Sequence, residues 1–177
     1  MPWHASLQID YRHDAGRTWA VHRHEGPLRV FRSLYPEGEA ICHNVIVHPP
    51  GGIVGGDRLD IGIVAHPESH ALLSTPGATR FYDGGGVPAA QHVHLKLERN
   101  ARLEWVPLEC IAYPGCLASN QVSFELAEGA QLLAWDVIAL GLPAAENRST
   151  RDAWRSESSG PASGSNRRAS GLTTTVC

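Results

Sequence analysis

The sequence is short of several features that would fix a function at once. It lacks a basic block: 15 Lys and Arg stand against 18 Asp and Glu, for a formal net charge of −3. No stretch could follow a phosphate backbone, which argues against nucleic acid as a partner. It also lacks any apolar run near the ~18 residues that a membrane-spanning helix requires, so no membrane association is expected. Between Met1 and Arg12, the residues Trp3, His4, Gln8 and Asp10 break up the apolar positions. The h-region of a secretory signal is therefore missing, and a cytoplasmic location is expected. The 4 cysteines, Cys42, Cys110, Cys116 and Cys177, nowhere form a Cys-x-x-Cys pair, which removes the common zinc and redox motifs. In a reducing compartment Cys42 and Cys110 read most simply as small buried apolar residues.

Catalytic signatures are missing too. The glycine-rich run Gly51-Gly52-Ile53-Val54-Gly55-Gly56 ends on Asp57. A phosphate-binding loop needs Lys-Ser/Thr there, and an acidic residue would repel the ligand. No helix follows to supply an N-terminal dipole, so the dinucleotide fingerprint fails as well. The glycines instead suit positive φ and close backbone approach, with Gly56-Asp57 turning into a following strand. No Gly-x-Ser-x-Gly elbow occurs before the C-terminal stretch. Glu37, Asp57, Glu104, Glu109 and Asp136 have no paired base or nucleophile nearby. Catalysis is not expected.

What the sequence does contain is β-type periodicity. Leu59 to Ile63, Val93 to Leu97 and Val122 to Leu126 each alternate apolar and polar residues, as strands with one buried face do. Turn residues such as Pro49-Pro50-Gly51-Gly52 and Glu98-Arg99-Asn100 separate such segments. The best helix candidate, Trp135 to Leu140, is short and β-branched enough to be a strand. A weak repeat of roughly thirty residues links Ser69-His70-Ala71-Leu72, Asn100-Ala101-Arg102-Leu103 and Gly129-Ala130-Gln131-Leu132. The pattern predicts an all-β fold, either layered sheets or a β-solenoid-like stack of repeated hairpins, over residues 1–147. A β-sandwich with look-alike hairpins satisfies the same pattern.

After Asn147 the composition changes. Residues 148–177 are rich in Ser, Arg and Gly and almost free of aliphatic residues until Leu172. Such a tail buries too little to offset its ordering entropy and is expected to be disordered. A natural tail and an out-of-frame translation both fit it.

Three blocks carry more. Tyr35-Pro36-Glu37-Gly38, His48-Pro49-Pro50-Gly51-Gly52-Ile53-Val54-Gly55-Gly56-Asp57 and Thr75-Pro76-Gly77-Ala78-Thr79-Arg80-Phe81-Tyr82 resemble the signature segments of the UreD/UreH family of urease accessory proteins. Gly26-Pro27-Leu28, Leu103 to Glu109 and Trp135 to Gly141 add matches in the same order. The resemblance implies an all-β scaffold that binds UreF, reaches the GTPase UreG through it, and docks on the urease apoenzyme for nickel insertion. It implies no tightly bound cofactor, nickel handled transiently, and an enclosed passage for the metal. It also implies that family members continue for roughly another hundred residues beyond Gly141. The residues expected to shape the scaffold are His48, Pro49, Gly51, Gly52, Gly55, Gly56, Asp57, Thr75, Pro76, Gly77, Thr79 and Tyr82.

The ten histidines support a competing reading. His22-Arg23-His24 and His92-Val93-His94 each place two imidazoles on one strand face. His92, His94 and Glu98 resemble the first metal motif of a cupin enzyme, with donors that suit iron, manganese, nickel or zinc. The second cupin motif has no counterpart, and both histidines can equally face solvent. His48 has two readings: it lines a metal route, or it hydrogen-bonds across the Pro49-Pro50-Gly51 turn.

Overall fold

The computed structural model describes residues 2–141 and the backbone of 154–158 and 172–176. The chain opens on an antiparallel hairpin of β1 (His4–Asp14) and β2 (Arg17–Glu25). A short β3 (Arg29–Val30) then pairs with β4 (Ile41–Val47). From there the strands come in threes. The first coil is β5 (Arg58–Ala65), β6 (His70–Ser74) and β7 (Thr79–Phe81). The second is β8 (Ala89–Leu97), β9 (Arg102–Trp105) and β10 (Cys110–Ala112), and the third is β11 (Ala118–Leu126), β12 (Gln131–Ala134) and β13 (Ile138–Leu140).

Equivalent strands of successive coils lie side by side and parallel. The first sheet runs β5-β8-β11, the second β4-β6-β9-β12 and the third β7-β10-β13. The molecule is therefore an all-β, β-solenoid-like stack with three faces. The repeating unit is not a hairpin. The three strands of a coil pair with the coils above and below rather than with each other, because each corner turns the chain onto a new face.

Most of the expected disordered tail, and Asn147 itself, lie outside the described residues. Within the tail two segments are strands: β14 (Trp154–Ser158) pairs with β15 (Leu172–Val176), and β15 pairs with β11. The β-branched run Thr173-Thr174-Thr175 suits such a ladder.

Alternation along the strands fills the interior. In the first sheet Leu7, Ile61, Val93 and Val122 share one row, and Ile9, Ile63, Leu95 and Phe124 the next. All but Phe124 are buried. In the second sheet Cys42, Ala71, Leu103 and Leu132 form a row. This register shifts the first repeat copy by one residue from the sequence alignment, since Ala71, not Leu72, stands beside Leu103. The corner before these strands explains the shift. Glu68, Asn100 and Gly129 are the stacked residues at positive φ (63°, 56° and 73°), and their turns are laddered by Glu68 N–H to Arg99 O and Asn100 N–H to Glu128 O. The left-handed turn, not the leucine, sets the phase.

The corner between the second and third sheets behaves differently. From Ala71 to Thr79, from Leu103 to Cys110 and from Leu132 to Ile138, the path shortens by one residue each time.

Candidate functional site

The signature glycines and their neighbours build the corners of the stack. Gly51 N–H donates to His48 O at 2.8 Å and closes the Pro49-Pro50 turn, with Gly51 at φ 75°. Gly52 lies against the Tyr82 ring, which stacks on Tyr113 with centroids 4.7 Å apart. Gly56, at φ 90°, turns the chain into β5. Gly55 has another reason to be glycine: a Cβ there would sit 2.7 Å from Val87 O, and its Cα packs directly on Gly84. Positive φ explains Gly56 alone of that pair. Asp57 is buried, and its carboxylate accepts the N–H of Trp3 at 2.7 Å and of Val54 at 3.0 Å. Thr75 Oγ1 donates to Gly77 O and accepts the N–H of Leu108 at 3.0 Å, tying two coils together beside Pro76. These residues are architecture.

Behind those corners, inside the stack, is a cavity of about 220 Å³. That is ample for a hydrated ion, since one water needs ~10–15 Å³ by this measure. Leu28, Ile46, Ile53, Leu59, Ile61 and Trp105 make its apolar wall, and His48, Gly51, Gly52, Thr75, Pro76, Gly77 and Thr79 line it from the signature blocks. Its polar groups form a chain. Gln91 Nε2 donates to Asn120 Oδ1 at 3.0 Å, and Asn120 Nδ2 donates to Asp136 Oδ2 at 2.9 Å and lies 3.7 Å from Cys110 Sγ. Adjacent strands supply the first two, Gln91 standing beside Asn120 on neighbouring β8 and β11, and Asp136 comes from the corner between β12 and β13.

Burial governs the charge states. It raises the Asp136 carboxyl above its ordinary range, against the hydrogen bond from Asn120. It pushes the Cys110 thiol up to about 12, helped by the charges of Asp136 and Glu109 and opposed by a hydrogen bond with Thr79. Cys110 is thus a neutral thiol, not a nucleophile. Burial lowers His48, with Asp57 pulling the other way, so its imidazole is neutral near pH 7. His48 Nε2 is buried and has no hydrogen-bond partner. The Pro49-Pro50-Gly51 turn closes through the His48 carbonyl, and His48 is among the residues that line the cavity.

The sequence profile of the UreD urease accessory protein family matches residues 4–159. The chain belongs to that family. Proteins named urease accessory protein UreD from Albidiferax ferrireducens and Polaromonas naphthalenivorans are 61% and 59% identical to it, over 81% and 82% of this chain. One from Methylibium petroleiphilum is 52% identical over 84%. In each case the match covers 52% of the relative, so this UreD-family chain spans about half the length of the curated relatives it matches.

The cupin-like set does not assemble in this UreD fold. His92 Nδ1 meets Asp60 at 3.2 Å, His94 Nδ1 meets Ser123 Oγ at 3.0 Å, and Glu98 meets His66 Nδ1 at 3.1 Å. The alternating pleat puts both histidines on the outer face, and Glu98 lies beyond the strand end at the corner. His22 and His24 stack on exposed β2, with ring centroids 6.4 Å apart. Among the described residues no three His, Cys, Asp or Glu side chains converge to hold a metal ion, and no helix is long and apolar enough to cross a membrane. Sequence reasoning missed Gln91, Cys110, Asn120 and Asp136 as cavity residues. The thirty-residue repeat was the available signal, since it stacks position 91 on position 120.

Proposed function

We propose that this chain is a non-catalytic scaffold of urease maturation in the cytoplasm. It binds UreF, reaches UreG through UreF, and engages the urease apoenzyme while nickel is inserted. Family membership at 52–61% identity carries this reading. The cavity gives nickel a place to pass as cargo. His48 and Asp136 both line it, and a divalent cation there would favour the charged carboxylate that burial disfavours. With few donors at any point, contact is transient.

The test is co-expression with UreF, UreG and urease subunits in a host lacking its own UreD, with nickel-dependent urease activity as the readout. Activity dependent on this chain supports the scaffold. Activity from a full-length relative but not from this chain would place the essential contacts in the half that is unmatched here. In an active chain, Asp136→Asn and His48→Gln should each cut activation on the order of tenfold, as removal of metal-site groups does. They should leave co-purification with UreF unchanged. Unimpaired activation by both variants would remove the passage while leaving the scaffold.

A further inference from the structure

The His22-Arg23-His24 motif belongs neither to the corners nor to the cavity. It lies on β2, which among the described residues pairs only with β1. Thr18 N–H turns away from the β1 ladder and donates to Glu39 O at 2.9 Å. Alternate residues of an antiparallel strand point their amides the same way. The N–H and C=O groups of Ala20, His22 and His24 therefore also face away from β1. Among the described residues no backbone group bonds to them, so β2 presents an open edge that a further strand can join. His22 and His24 are both exposed and stand beside Ile9 and Leu7 of β1, which puts the two rings on one face of the strand.

Two imidazoles on one strand face are half of a cation site. Their ring centroids lie 6.4 Å apart, with the planes at 21°. Nitrogen ligands sit at about 2.0–2.1 Å from a zinc ion, so one tetrahedral ion holds two ring centres about 5 Å apart, within a small swing of exposed side chains. His24 Nδ1 now accepts a hydrogen bond from Arg29 Nη1 at 3.1 Å. Arg29 also donates to Gly26 O and Leu28 O, so it stays anchored when it releases the ring. The missing ligands follow from symmetry, because a two-fold axis pairs a strand edge with itself, antiparallel. With that axis at Arg23, His22 stands opposite His24 of the second copy, and the outward amides of the two strands face each other. Four imidazoles then share one face around the axis. We propose that β2 carries half of a divalent-cation site, completed when a second copy of this chain adds across the open edge. Imidazole donors suit zinc, copper or nickel. On the other face Arg23 meets its own copy, with Glu25 of the second copy diagonal to it. The like-charge contact opposes pairing until the ion binds, so assembly depends on the metal. The inference rests on β2 alone and does not depend on the cavity as a nickel passage.

The experiment adds zinc to the metal-free 177-residue chain and follows mass by sedimentation together with bound metal. A monomer is expected without zinc, and with it a dimer holding one ion per two chains. His22→Ala and His24→Ala alter only exposed side chains, so both should keep the parent's circular dichroism yet lose the dimer and its ion. His94→Ala, on the opposite face of the same sheet, should lose neither. Arg23→Gln removes the like-charge contact and should lower the zinc concentration at half dimerisation about threefold. Zinc that binds without a change in mass would overturn the proposal, and so would a chain that does not respond to zinc at all. A zinc-dependent dimer that survives His22→Ala would place the ligands elsewhere. Equal dimerisation with and without zinc would show that the edge pairs with no ion between the copies.

Discussion

Asp57 and Asp60 lie on the same strand start and have opposite tasks. Asp57 is buried and spends both oxygens on backbone N–H groups, fixing the N-terminal strand and the Gly55-Gly56 turn. Asp57→Ala would leave two part-buried donors unpaired and should cost about 2–4 kcal/mol in chemical denaturation. Asp60 sits on the outer face among Arg58, His4 and His92. Burial opposes its charge, but hydrogen bonds from Arg58 and His4, the Arg58 charge and the His92 contact outweigh it and hold the carboxyl at about 2, below its ordinary 3.8. A depressed carboxyl stabilises the fold above 3.8, and that contribution is lost as pH falls toward about 2. Asp60→Asn should therefore lower Tm at neutral pH and flatten its decline across that acid window. A variant melting curve that falls as steeply as the parent's would assign the acid sensitivity to other groups.

At the scale of the element, strands were legible and corners were not. Alternation marked Leu59 to Ile63 and Val93 to Leu97 because each strand has one wall inside the stack. Trp135 to Leu140 has no such alternation, and only Ile138–Leu140 is strand. The phase of the repeat was misplaced by one residue since the ordering signal is a backbone conformation held by three different residues, Glu68, Asn100 and Gly129. Gly129 is the most constrained of them, a Cβ there meeting Asn100 Oδ1. Gly129→Ala should lower stability by about 1–3 kcal/mol, whereas Glu68→Gly should be neutral or slightly stabilising. Equal losses from both would show that the corner does not depend on its φ.

For the whole molecule, the family was legible because its signature blocks are corners, where few residues satisfy the turns. The cavity was not, because Gln91, Asn120 and Asp136 come together only after the third coil has stacked on the second. A stack is stabilised coil by coil through nearest neighbours. Amide exchange should accordingly be slowest in β5 and β8, which have neighbours on both sides, and fastest in β12 and β13. Uniform protection from β5 to β13 would mean that the stack unfolds as one unit.

The corner that loses one residue per coil gives the stack a property that a regular solenoid lacks. Each residue removed takes about 3.3 Å of backbone from that side, so no two of the three coils turn this corner with the same length. Exchanging the first and middle coils would set the longest of these corners directly against the shortest, a larger mismatch than any two native neighbours have. Coil order is therefore written into the chain, and the repeats are not interchangeable parts.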